Sequence, residues 1–189
     1  MLIAIDGRQG GGKTMTARRL AQAAEESFVV HSDDVAWWES FFGWGPLMAE
    51  GILDPLRRGA SVDYRPPAWR TRGRDGSIVV PGSARLVFIE GAGTSRRSLA
   101  PLLDAVVWVQ SDKEEADRRG IERDGGGQAE ADFWWAWDAE EQPFFAEDRP
   151  WERADFIVCG TPEQTGIEHD PARELLVGRP FRPWPRATA

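Results

Sequence analysis

The 189-residue chain holds one cysteine, one tyrosine, two histidines and, among 23 basic residues, two lysines, Lys13 and Lys113. The single Cys159 excludes an internal disulfide framework, and its setting in Phe156-Ile157-Val158-Cys159 predicts a buried thiol in a reducing cytoplasm. His31 and His169 have no cysteine or histidine at metal-site spacing, so neither is assigned a metal. Long apolar runs are missing too, and Met1 leads straight into a short strand-like segment, which predicts an unexported, cytoplasmic protein without a membrane partner. Positive charge is short overall: a net charge of -8 and a pI near 4.9 disfavour nucleic acid and anionic membranes as partners. What is plentiful is tryptophan, with ten residues, and glycine, with 20.

Five short, continuous apolar runs read as strands: Leu2-Ile3-Ala4-Ile5, Phe28-Val29-Val30, Leu86-Val87-Phe88-Ile89, Ala105 to Val109 and Phe156-Ile157-Val158. Such runs suit a mainly parallel sheet covered on both faces. Met15, Ala17, Leu20, Ala21 and Ala24 recur at helical spacing and predict a helix from Thr14 to Glu26, with a short helix over Ser95 to Leu103 and a charged one over Lys113 to Arg123. Alternating strand and helix predict an α/β three-layer fold around a five-stranded sheet. We divide the chain into a single domain over 1–180 and a loosely held tail over 181–189. Within the domain, the Trp-, Gly- and Pro-rich stretch 35–83 is an insert, helical first and partly β-hairpin after. A lid spans 112–128, with Gly125-Gly126-Gly127 as its hinge or tip.

Gly7-Arg8-Gln9-Gly10-Gly11-Gly12-Lys13-Thr14 satisfies G-x-x-x-x-G-K-[ST] between a predicted strand and a predicted helix. Gly7, Gly10, Gly11 and Gly12 let successive backbone N–H groups turn toward phosphate oxygens, and the helix that follows, through Met15, adds its positive dipole end. Lys13 is expected to bridge the β- and γ-phosphates of ATP and Thr14 to place a hydroxyl on Mg²⁺. No guanine-reading Asn/Thr-Lys-x-Asp tetrapeptide is present, and the length leaves little room for an oligomeric ATPase apparatus. A compact ATP- and Mg-dependent kinase fits best.

Two acidic sites fall at strand ends. Phe28 to Val30 runs into Asp33-Asp34, where one carboxylate can take the proton from an attacking hydroxyl; Asp33 is favoured, Asp34 is the alternative, and helix capping is the bland reading. Leu86 to Ile89 ends in Glu90-Gly91, and Glu90 is assigned to the metal shell beside Thr14.

With these motifs in this order, the chain resembles the uridine kinase-like branch of P-loop kinases, which includes nicotinamide riboside kinase, phosphoribulokinase and pantothenate kinase. Arg118-Arg119-Gly120-Ile121-Glu122-Arg123-Asp124 is similar to that family's arginine-rich lid, and Ala154-Asp155 to its pair before the last strand. The resemblance implies a P-loop NTPase fold with a lid, Asp33 as catalytic base, Thr14 and Glu90 around Mg²⁺, and Arg119 and Arg123 as lid cations over the phosphates. Ala116 and Gly120 depart from the lid pattern, and the arginines also suit the solvated face of a charged helix.

The family's nucleoside-binding segment has no recognisable counterpart here. We assign acceptor contacts to Asp33, Trp37, Tyr64, Trp69 and Arg70, as aromatics that stack and a cation that pins an anion. Trp134, Trp135, Trp137, Phe144, Phe145 and Trp151 are read as core or as a homodimer contact, with Trp134 and Trp137 near one helix face. Gly160-Thr161-Pro162 is placed beside the adenine. Two other readings stay open: a nucleotide-sensing P-loop protein without phosphoryl transfer, and a nucleoside monophosphate kinase using Arg65, Arg70 or Arg72.

Overall fold

A computed structural model of the chain describes residues 1–178. The tail expected over 181–189 lies outside the described residues. In chain order the first half contains β1 (Leu2–Gly7), α1 (Lys13–Gln22), β2 (Ser27–His31), α2 (Ser32–Ala36), α3 (Gly45–Met48), a π-helical turn (Ala49–Leu53), α4 (Asp54–Arg57), β3 (Val62–Tyr64), α5 (Pro67–Thr71) and β4 (Ile78–Val80). The second half contains β5 (Leu86–Glu90), β6 (Ala105–Gln110), α6 (Lys113–Arg123), α7 (Gln128–Asp148), β7 (Phe156–Cys159) and β8 (Val177–Gly178).

The main sheet runs β2-β5-β1-β6-β7-β8, parallel except for the two-residue β8, which pairs antiparallel with β7. The five expected strands are all present, and β8 adds a short edge. Each apolar run alternates its side chains between the two faces, and both faces are covered. Ile5, Phe88, Val107, Val109 and Val158 pack with Ala17 of α1, while Ala4, Val106 and Trp108 pack with Phe145 of α7. A third cluster roofs the β2 end: Trp44, Met48, Ile52 and Leu53 from the helical run and Val62 and Val80 from the β3–β4 hairpin close over Val30, Val87 and Ile89. The insert thus has the helix-then-hairpin form the sequence suggests.

Three local expectations change. α1 ends at Gln22, short of Glu26, because the Ser27 hydroxyl donates to the Ala21 carbonyl at 2.9 Å and turns the chain into β2. Ser95 to Leu103 forms only a 3-10 turn at Ala100–Leu102; Ser95 and Arg96 are tied by their side chains to Asp6 and to the Gly93 and Phe42 carbonyls instead. Cys159 is half-buried, since it stands at the end of β7 beside the narrow β8 edge. Among the described residues, no helix is long and apolar enough to cross a membrane.

Candidate active site

The loop Gly7 to Thr14 leaves β1 and enters α1 through Gly12, whose φ of +96° is a left-handed conformation that glycine adopts without strain. Lys13 is buried, and its Nζ donates to the Arg8 carbonyl at 2.8 Å, so the ammonium folds over the loop. A side chain at Gly11 would come within 2.7 Å of Ser111 Oγ, which lets the cradle lie directly on the end of β6.

β1 ends in a residue that sequence reasoning missed. Asp6 is fully buried and accepts four hydrogen bonds, from the N–H groups of Gly7, Gly93 and Ser95 and from the Ser95 hydroxyl, at 2.7 to 2.8 Å. Burial raises its pKa, and those donors oppose the rise. Asp6 therefore fixes the segment after β5 against the root of the cradle.

Glu90, at the tip of β5, joins two elements: Oε1 accepts from Thr14 Oγ1 at 3.0 Å, and Oε2 lies 2.7 Å from His31 Nδ1. Burial alone raises the Glu90 pKa, but the His31 contact, the Lys13 charge and the Thr14 bond bring it below its usual value, so it stays ionised. His31 moves the other way, raised chiefly by its bond to Glu90. Thr14 and Glu90 present adjacent hard oxygen donors, the chemistry Mg²⁺ takes when it also keeps waters and phosphate oxygens. Among the described residues there is no cluster of three or more His, Cys, Asp or Glu suited to a metal, in keeping with a pair of protein donors.

The neighbouring carboxylates of α2 diverge. Asp34 pairs with Arg74 at 2.5 Å, and its carbonyl accepts from Trp69 Nε1 at 2.8 Å. Asp33 instead faces a cavity of about 550 Å³ over the cradle, shared with Lys13, Thr14, Met15 and Glu90. Asp33 keeps contact with solvent at the cavity mouth. Desolvation by the surrounding protein still raises its pKa, with the Lys13 charge opposing and Glu90 adding to the rise. A group so placed is an acceptor for a proton at a pH where ordinary aspartates are already poor bases.

Arg119 and Arg123 of α6 also line the cavity, and Arg118 does not. Arg119 reaches the segment after β7, donating to the Gly160 carbonyl at 2.9 Å and pairing with Glu163, and it holds Glu115 at 2.6 Å. Arg123 pairs with Asp124 at 2.7 Å. Arg118 is spent on Glu115 and Glu122 along the exposed face.

Four expected acceptor contacts lie off this cavity. Trp69 is buried under Asp34 with the Arg74 guanidinium 3.7 Å above its ring. Tyr64 covers Gly51 at a separate hollow on the hairpin, Trp37 packs edge-on to Trp38, and Arg70 is exposed. The reason is that hairpin packing consumes these aromatics. The wall instead comes from Phe133 and Trp137 of α7, backed by Phe41 and Phe42 of the insert, with Arg18 of α1 opposite. The spacing of Phe133 and Trp137, one helical turn apart, was the available signal. Trp134 is buried between Gly10 and Gly120 as core, while Trp135 is exposed.

No known protein family and no curated protein matches the chain. Solved structures do. A protein described as a possible uridine kinase from Bacillus stearothermophilus aligns with a TM-score of 0.53 at 19% identity, over 83% of this chain and 87% of that one. A candidate fructose transport system kinase from Silicibacter sp. TM1040 aligns with a TM-score of 0.50 at 20% identity, over 77% of this chain and 84% of that one. At such identities the likeness establishes architecture: the chain has the fold of P-loop kinases, of the uridine kinase-like kind.

Proposed function

We propose that the protein is an ATP- and Mg-dependent kinase that transfers the γ-phosphoryl group to a hydroxyl of a nucleoside-like or other small metabolite. The observation that carries this reading is the convergence of Lys13, Thr14, Glu90 and Asp33 on one cavity while Asp34 is tied away by Arg74. Thr14 and Glu90 would hold Mg²⁺, which when bound neutralises charge on the β- and γ-phosphate oxygens. The cradle amides and Lys13 hold the phosphates, and Asp33 orients the acceptor hydroxyl and takes its proton. Arg119 and Arg123, on the lid segment 112–128, add positive charge where it offsets that of the moving phosphoryl group. The insert, 35–83, serves the acceptor side through Phe41 and Phe42, which back the Phe133 and Trp137 wall.

The test is acceptor-dependent ADP release across nucleosides, ribosides, pantothenate and sugars, with Asp33→Asn beside the native chain. Turnover with one acceptor class, lost by about 10²-fold or more in the variant while ATP affinity holds, is the expected result. ATP binding with no acceptor-dependent release would leave a nucleotide sensor. The monophosphate kinase reading finds less support, because Arg65, Arg70 and Arg72 do not line the cavity.

A further inference from the structure

A second cavity, of about 360 Å³, lies between the end of β6, the C-terminal half of α7 and the turn at Pro150–Arg153. It shares no lining residue with the cavity over the cradle. Trp108 forms its floor with Phe145 and Trp151 edge-on, at ring separations of 5.3 and 5.5 Å. Its polar rim is Arg8, Gln110, Ser111 and Gln142.

Most of that rim is already engaged. Gln110 accepts from Trp108 Nε1 at 2.9 Å and donates to the Ser111 carbonyl at 3.3 Å, and Gln142 donates to Asp138 at 2.9 Å. Two buried polar atoms have no partner among the described residues: Arg8 Nη1 and Ser111 Oγ. Buried donors without acceptors are uncommon in folded proteins and mark a place where a ligand or ion completes the set. The nearest carboxylate to Arg8 Nη1 is Glu141 Oε2 at 4.0 Å, beyond hydrogen-bond length, while Glu141 Oε1 is occupied by the Gln9 N–H at 2.8 Å and Trp137 Nε1 at 3.3 Å. Glu141 thus balances the arginine's charge without filling its donor.

This arrangement selects a ligand class. One guanidinium edge beside a carboxylate favours a monoanion over a phosphate dianion, and the planar fork of arginine suits a planar carboxylate. The three aromatic rings favour a flat apolar body, and the volume admits a small molecule of about the size of a substituted benzoate. The site also touches the cradle. The Arg8 carbonyl accepts from Lys13 Nζ at 2.8 Å and from the Gly11 N–H at 3.1 Å, so an occupant that shifts Arg8 acts on the phosphate-binding lysine. We infer that this cavity is an effector site for small aromatic monocarboxylates, coupled to the nucleotide site through Arg8.

Benzoate is the probe, with benzamide as its uncharged counterpart, titrated by calorimetry into the full chain with and without a non-hydrolysable ATP analogue and Mg²⁺. Benzoate is expected to bind at one site about tenfold or more tightly than benzamide, and Arg8→Gln to reduce it to the benzamide level. Ala146→Phe, which fills the cavity from α7 without touching the cradle, should abolish benzoate binding and leave analogue affinity in place. If that variant fails to fold, Trp151→Ala makes the same discrimination by removing a wall. Saturating benzoate should shift analogue affinity about twofold or more, to a plateau. No benzoate binding below about 10 mM, binding that survives both cavity variants, or displacement by the analogue without a plateau each overturns the site. Binding with unchanged analogue affinity overturns the effector role.

Discussion

Asp33 and Asp6 are both aspartates with raised pKa values, and they do different work because their surroundings differ. Asp33 reaches solvent through the cavity mouth, so it can exchange its proton with an acceptor hydroxyl; Asp6 is sealed beneath four donors and cannot. As a base Asp33 must be unprotonated, so turnover falls as pH drops through its folded pKa. That pKa lies above the usual value of 3.8, and the acid limb of kcat/KM should appear above the ordinary aspartate range and vanish in Asp33→Asn. A limb that persists in the variant would assign it to another group. For Asp6 the relevant quantity is stability. Asparagine keeps the shape but turns an N–H₂ toward groups that are themselves donors, leaving one or two unsatisfied. Asp6→Asn should destabilise the fold by about 1–3 kcal/mol in urea unfolding, and a neutral result would mean that relief of the buried charge outweighs the lost acceptor.

The pair α6 and α7 sets where the lid arginines stand. Trp134 of α7 donates from Nε1 to Asp117 at 3.1 Å, Lys113 bridges Asp117 and Asp138 at 2.7 and 3.1 Å, and the Trp134 ring lies against Gly120. A methyl at Gly120 would overlap that ring. Replacing a helical glycine by alanine gains about 1 kcal/mol of helix propensity, and overpacking costs about 1–3. The overlap falls on a rigid indole held by a hydrogen bond, so Gly120→Ala should lose about 1–2 kcal/mol net in urea unfolding and raise the ATP KM by displacing the flanking Arg119 and Arg123. Of this pair, α6 was legible in the sequence, since Asp112 caps it and its charges repeat at helical spacing. The roles within α7 were not. Phe133, Trp134 and Trp135 differ by about 100° each, so they face the cavity, the core and solvent, and sequence alone does not say which is which. The strands and the cradle were legible because continuous apolar runs and a glycine loop admit few alternatives. The acceptor wall was not, because Trp69 and Tyr64 are as good for packing a hairpin as for stacking on a ligand.

On the scale of the whole molecule, a chain of net charge -8 is read here as binding a polyanion, and the conflict can be decided by distance. Lys13, Arg18, Arg119 and Arg123 line the cavity, opposed by Asp33, Glu90 and Asp124. A cation at about 4 Å from a phosphate charge is worth about 1 kcal/mol in water, whereas each remote carboxylate at about 20 Å contributes about 0.2 kcal/mol before screening. At about 0.1 M salt the Debye length is about 10 Å, which cuts the remote terms to a small fraction and leaves the close ones largely intact. The local cations should therefore govern affinity, and added salt should weaken it by competing for them. Between about 0.1 and 0.5 M NaCl, the dissociation constant of a non-hydrolysable ATP analogue, measured by calorimetry with Mg²⁺ saturating, should rise severalfold. Neutralising Arg119 or Arg123 should flatten that dependence, because fewer close cations remain to be screened. Affinity that strengthens with salt would mean that the acidic surface dominates and that the lid arginines stay engaged with Glu163 and Asp124 instead of turning to the nucleotide.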